Sequence, residues 1–125
     1  MPLPMTRIIL YVQDVATLTA FYRRYFDLRV VEEIANEWAV LDAGAVELAL
    51  HRAGPAFRHV APVRPARTGN TKLVFTIGAD IAAHRDCLAQ DRVTVRDLKR
   101  YDGFACTMYD GVDPEGNVFQ VMQPD

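Results

Sequence analysis

The predicted secondary-structure elements occur in the same order twice along the chain, and this repeat constrains the fold more than any other feature of the sequence. Hydrophobic periodicity predicts one helix in each half, over residues 15–26 and 79–90. β-branched and aromatic runs predict the strands, which cover residues 7–13, 28–34, 37–42 and 45–51 in the first half and 71–77, 93–98, 104–109 and 118–122 in the second. The first strands are offset by about 65 residues and the helices by about 64, although sequence identity between the halves is low. The pattern predicts an α+β fold with two βαβββ modules, about 6–52 and 71–123, in a single domain over 1–125.

A different composition separates the two modules. Residues 53–70 contain three prolines, two glycines and no acidic residue, which predicts a linker. The basic residues in and next to it are Arg52, Arg58, His59, Arg64 and Arg67. They favour a solvated basic loop, with steering of an acidic ligand as the alternative.

Composition excludes several classes of protein. With 125 residues, half of them hydrophobic, the chain can bury one ordinary core. A net charge of −2 argues against nucleic-acid binding, and no apolar run is long enough to span a membrane. Cys87 and Cys106 form neither a disulfide framework nor a metal motif, and Met1-Pro-Leu-Pro lacks the features of a signal peptide. We therefore expect a soluble, reduced, cytoplasmic protein that binds neither nucleic acid nor membranes.

Short motifs in the two halves of the repeat resemble those of one superfamily. The motifs are Asp14-Val15, Phe21-Tyr22, Phe26-Asp27-Leu28 and the turn Asp113-Pro114-Glu115-Gly116-Asn117 before the last strand. Together with the element order, they resemble the vicinal oxygen chelate superfamily, which contains glyoxalase I, extradiol dioxygenases, fosfomycin-resistance enzymes and bleomycin-resistance proteins. The resemblance implies a curved mixed sheet that forms a cup, helices on its outer face, and a homodimer. It specifies the fold better than the activity, because this fold carries unrelated chemistries.

The resemblance also implies four positions where metalloenzymes of the superfamily place their metal ligands. These positions fall on Arg7, Glu47, Lys72 and Gln120. The metalloenzymes usually have His or Gln at the first and third, where this chain has two cations. Arginine and lysine do not ligate a divalent ion in their charged forms, so we expect no metal and no cofactor. His51 cannot rescue the site with Glu47, because residues four apart on a strand lie about 13 Å apart.

Strand alternation predicts the same residues on the inner face of the cup. Aliphatic residues at 8, 10 and 12 form one face of the first strand, which leaves Arg7 and Tyr11 on the other. Tyr11, Trp38 and Tyr109 could stack on a planar ligand, although large aromatic residues more often belong to a core, and alternation in the strand over 45–51 places Glu47 and His51 on the inner face. The predicted ligand-binding residues are Arg7, Tyr11, Trp38, Glu47, His51, Lys72 and Gln120.

Three functions fit this set. The charged residues could form a structural ion-pair network, their one surplus positive charge could bind an anion, or Lys72 could react as a nucleophile. We favour metal-independent binding of a small anionic or aromatic molecule. The alternatives are a superfamily enzyme with a non-standard site, similar to lactoylglutathione lyase or to a dioxygenase, and a structural dimer whose cup is closed by salt bridges. We predict no catalytic residue.

Overall fold

The structure is a computed structural model that describes residues 1–58 and 70–125. The chain divides into two compact units, Met1–Pro62 and Val63–Asp125. Unit 1 contains β1 (Arg7–Val12), α1 (Val15–Phe26), β2 (Arg29–Ile34), β3 (Trp38–Asp42), β4 (Glu47–Arg52) and a short 3-10 helix, Pro55–Phe57. Unit 2 contains β5 (Lys72–Thr76), α2 (Ile81–Gln90), β6 (Cys106–Val112) and β7 (Val118–Pro124). Neither α-helix is long and apolar enough to cross a membrane.

Unit 1 is a four-stranded sheet covered on one face by α1. The strand order is β1-β4-β3-β2, with β1 parallel to β4 and the other neighbours antiparallel. The predicted alternation in β1 is confirmed, because Ile9 and Tyr11 are 44% and 68% exposed while Val12 is buried. Leu48 and Leu50 on β4 point to the helix side and are also buried. The opposite face of the sheet is therefore left to the polar and aromatic residues.

The predicted first helix is confirmed, and local sequence explains both of its ends. Asp14 caps it by accepting a hydrogen bond from the Thr17 backbone N–H at 3.0 Å. Asp27 ends it in the left-handed conformation, φ 54°, and its N–H donates to the Tyr22 carbonyl. Leu18 and Tyr22 are fully buried on the side that faces the sheet. This burial fixes α1 over the central strands.

Unit 2 is a three-stranded sheet with the order β5-β7-β6. β7 is the central strand, parallel to β5 and antiparallel to β6. Leu73, Phe119 and Val121 are buried on the side of α2. Gly111 lies on the same side, where an added Cβ would come within 2.3 Å of the Phe119 ring. α2 begins at Ile81, two residues later than predicted.

The predicted strand over 93–98 is wrong. Residues 93–99 make only isolated bridges to β6, Val95 with Gly111 and Lys99 with Met108. The two bridging residues on this segment are four positions apart and their partners only three, so one extra residue interrupts the ladder. β6 itself begins later and ends later than predicted, because Asp110-Gly111 resembles a turn in sequence but continues the strand.

The described part of the predicted linker is partly ordered by hydrogen bonds. Arg52 belongs to β4 and forms an ion pair with Glu37 at 2.9 Å. Arg58 Nε donates to the Ala53 carbonyl at 2.9 Å. These two arginines therefore have protein partners, which the composition alone did not predict. His59, Arg64 and Arg67 lie outside the described residues.

Candidate ligand-binding site

Strand register aligns three aromatic side chains across the open face of unit 1. Tyr11 on β1 lies opposite His51 on β4, and His51 lies opposite Trp38 on β3. The ring centroids of Tyr11 and His51 are 5.2 Å apart, and those of Trp38 and His51 are 5.6 Å apart, both with edge-to-face geometry. We call these three residues the aromatic row. Tyr11 and His51 are exposed, and Trp38 is half-buried.

Smaller apolar side chains form the next row of the same face. Ile9, Ala49 and Val40 are aligned across β1, β4 and β3. Ala49 and Val40 are fully buried, whereas Ile9 remains exposed. Because successive same-face residues along a strand are about 6.6 Å apart, this apolar row lies directly beside the aromatic row.

Charged side chains form the third row. Arg7 and Glu47 are register partners, and Arg7 Nε and Nη2 both donate to Glu47 Oε1, at 3.1 and 3.0 Å. Arg29 and Asp42 continue the row with an ion pair at 3.7 Å. The Arg7 and Glu47 side chains are 38% and 39% exposed, so this pair is in contact with solvent.

The side chains of Arg7 and Glu32 both contact Trp38 and so link the aromatic row to charged residues. The guanidinium carbon of Arg7 lies 5.5 Å from the centre of the Trp38 ring, which is cation–π distance. The indole N–H of Trp38 donates to Glu32 Oε2 at 2.8 Å. These contacts hold the indole in place at its face and at its edge. All five predicted site residues of unit 1 thus belong to one contiguous patch.

The two predicted site residues of unit 2 also come together, through a residue that the sequence analysis missed. Asp110 on β6 accepts from Lys72 Nζ at 2.7 Å and from Gln120 Nε2 at 3.0 Å. Gln120 is the register partner of both Asp110 and Val74. Alternation could have revealed Asp110, because it follows Met108 by two residues, but the predicted strand ended at 109.

Asp110 changes the charge balance that the sequence suggested. Lys72 is neutralised by Asp110 and Arg7 by Glu47, each within its own unit. The surplus positive charge predicted from Arg7, Lys72 and Glu47 is therefore cancelled once Asp110 is included. The case for an anionic ligand loses its main support, whereas the case for an aromatic ligand does not depend on that charge.

The residues at the superfamily's metal positions do not fit a divalent metal. Arg7 and Lys72 act as hydrogen-bond donors to carboxylates, and their nitrogens offer no lone pair to an ion. Within residues 1–58 and 70–125, no group of three or more His, Cys, Asp or Glu side chains is placed to hold a metal ion.

Tyr109 does not belong to the open face, contrary to the prediction that it could contact a ligand. It is fully buried on the helix side of β6, where its ring packs against Phe119. Its hydroxyl is 2.6 Å from His84 Nδ1 on α2. Burial raises the pKa of Tyr109 well above its usual value. Tyr109 is therefore a core residue that anchors α2.

Cavities elsewhere are less suited to an aromatic ligand. A shallow groove of about 900 Å³ on unit 1 has no aromatic residue in its lining, which consists of Ala20, Arg23, Arg24, Asp27, Leu28, Arg29, Val30 and Glu33. A cavity beside Lys72 and Asp110 on unit 2 has a volume of about 180 Å³, below the 300 Å³ or more of typical ligand pockets. The aromatic row is the better candidate.

Solved structures similar to the whole chain identify the fold. A possible glyoxalase from Bacillus cereus superposes with a TM-score of 0.76 at 22% identity, covering 97% of this chain and 99% of its own. A lactoylglutathione lyase from Agrobacterium tumefaciens has a TM-score of 0.66 at 20% identity, covering 98% and 94%. An antibiotic binding protein from Streptomyces sp. CB03234 has a TM-score of 0.71 at 18% identity, covering 97% and 95%.

The predicted fold is confirmed by these similarities. The chain has an α+β glyoxalase-like fold, as its element order predicted. At these identities the similarity is one of fold, and the structures include both an enzyme and a binding protein. No family model matches the chain, and no curated protein matches it.

Proposed function

We propose that this protein binds a small planar aromatic molecule without a metal, on the open face of unit 1. The observation that carries the proposal is the aromatic row of Tyr11, His51 and Trp38, whose rings are in contact and partly exposed. Exposed apolar patches with a polar rim are typical of binding sites. Here the rim is the ion pair of Arg7 and Glu47.

The geometry of the row suits a flat ring better than a compact anion. Ile9, which is 44% exposed on the same face as Tyr11, adds apolar surface against which a ring system could lie. Arg7 already has a carboxylate partner, so a free anion would have to compete with Glu47 for it. The similarity to an antibiotic binding protein of the same fold supports a binding function in general terms.

Binding can be measured through the site itself, because Trp38 is the only tryptophan in the chain. Protein dialysed against a chelator is titrated with 2-naphthol and, separately, with inorganic phosphate. We expect 2-naphthol to change Trp38 fluorescence saturably and phosphate to have no effect. Binding that appears only after Zn²⁺, Ni²⁺, Fe²⁺ or Mn²⁺ is added would contradict the proposal and favour the alternative of a superfamily enzyme.

Variants then locate the site. Tyr11→Ala removes one ring of the aromatic row and should weaken 2-naphthol binding by about 2- to 10-fold, the value of one aromatic contact. Phe104→Ala removes an exposed aromatic residue of unit 2 and serves as the control. Equal weakening by both variants would argue against the aromatic row. Lys72→Met tests whether the predicted contacts of unit 2, Lys72 and Gln120, also take part.

A further inference from the structure

The proton on His51 can be assigned from its hydrogen bond to the backbone. His51 Nδ1 lies 2.8 Å from the Arg52 carbonyl oxygen. A carbonyl oxygen can only accept, so Nδ1 must carry the proton in this contact. The neutral imidazole then has a lone pair on Nε2, the nitrogen at the distal edge of the ring.

That lone pair lies in the middle of the aromatic row. The His51 ring is flanked by Tyr11 on one side and by Trp38 on the other, and the side chain is exposed. No residue within 1–58 or 70–125 donates a hydrogen bond to Nε2. The Nε2 atom of His51 is therefore an oriented acceptor in a surface otherwise made of aromatic rings.

Glu47 provides a second hydrogen-bond acceptor on the same face. Both hydrogen bonds from Arg7 go to Oε1 of Glu47, which leaves Oε2 as a second acceptor at the rim. A ligand ring without a donor would displace water from Nε2 and leave the acceptor unpaired. Leaving a desolvated polar group without a partner costs more than a hydrogen bond returns. The row should therefore discriminate against rings that carry no donor.

We propose that the ligand is a hydroxyaromatic compound whose O–H donates a hydrogen bond to His51 Nε2. This inference rests on the proposed function and adds the chemical class of the ligand. Stacking against Tyr11 and Trp38 would supply affinity for any flat ring, whereas His51 would select rings that carry a hydroxyl. His51 is thus the specificity-determining residue of the site.

Two ligands that differ only in the donor test the inference. 2-Naphthol and 2-methoxynaphthalene have the same ring system, but the ether cannot donate a hydrogen bond. We expect wild-type protein to bind 2-naphthol about fivefold more tightly, the typical value of one neutral hydrogen bond. His51→Phe keeps an aromatic ring and removes the acceptor, so this variant should bind both ligands equally.

Each other result has a distinct meaning. Equal binding of both ligands by the wild type would overturn the inference and leave the proposed function intact, whereas binding of neither would overturn both. A preference that survives in His51→Phe, or that disappears in Tyr11→Phe, would assign selection to another group. Should His51→Phe not fold, the ¹⁵N signal of His51 Nε2 in the wild type gives the answer. It should shift on adding 2-naphthol but not on adding the ether, and equal shifts would overturn the inference.

Discussion

The ion pair between Arg7 and Glu47 gives the sharpest test of how the open face of unit 1 is solvated. Replacing Glu47 with glutamine keeps the shape of the side chain and removes its charge. In a desolvated site, breaking such a pair costs about 3–5 kcal/mol, because the remaining charge is left buried. The two side chains are instead 38% and 39% exposed, so water screens them. We therefore expect Glu47→Gln to lower the free energy of unfolding by only about 0–1 kcal/mol.

Urea denaturation of wild type, Arg7→Gln, Glu47→Gln and the double variant measures the pair directly. The coupling energy should be about 0.2–1 kcal/mol and should decrease in 1 M salt, where the Debye length is about 3 Å. Arg7→Gln should cost more than Glu47→Gln, because it also removes the contact of the guanidinium with Trp38. That contact is worth about 0.5–1 kcal/mol at an exposed site.

The matched control is Glu37→Gln, which breaks the pair with Arg52 at 2.9 Å and similar exposure. It should have the same small, salt-sensitive effect as Glu47→Gln. A loss of 3 kcal/mol or more for Glu47→Gln alone, or a coupling that salt leaves unchanged, would refute the reasoning. Such a result would mean that the charged row is desolvated in the protein.

Four further predictions concern stability, metal content and assembly. Asp14→Ala should destabilise the protein by about 1 kcal/mol at pH 7 in urea denaturation, because it removes the helix cap. The Thr17 N–H holds the pKa of Asp14 below its usual value, so the cap contributes fully above about pH 4 and is lost as the pH falls through that lowered pKa. The Asp14→Ala difference should therefore shrink in acid, and a difference independent of pH would contradict this. Gly111→Ala should cost about 1–3 kcal/mol through its clash with Phe119, whereas Gly78→Ala, with open space around it, should be close to neutral. Elemental analysis of dialysed protein should find no stoichiometric divalent metal, because Arg7 and Lys72 occupy the positions of metal ligands. About one ion per chain would contradict this. Light scattering should give a homodimer mass, and a concentration-independent mass of 14.1 kDa would exclude it.

Much of the local structure could be predicted from the sequence because its causes are local. The cap at Asp14, the periodicity of α1 and the alternation in β1 each involve residues within a few positions of one another. The same alternation placed Arg7 and Tyr11 on the open face correctly. Prediction failed over 93–98, where an extra residue interrupts pairing with β6 and no signal in the segment itself reveals it.

Which residues come together in the site depends on strand register, and register is set by pairing between strands that are distant in sequence. Alternation determined which face a side chain occupies, but only the pairing of β1 with β4 and β4 with β3 placed Tyr11, His51 and Trp38 in one row. Only the pairing of β6 with β7 revealed Asp110 as the partner of Lys72. These contacts join residues distant in sequence, whose pairing is set by the packing of whole strands.

The sequence alone therefore determined the fold class, the two helices and the inward or outward direction of most strand residues, because periodicity and capping are local properties. The tertiary structure decided which charges neutralise each other and which aromatic rings touch. It also decided the orientation of the His51 ring, in which Nδ1 lies 2.8 Å from the Arg52 carbonyl oxygen. Partner choice and ring orientation depend on distances between backbone atoms in the folded chain, and those distances follow from the packing of the strands.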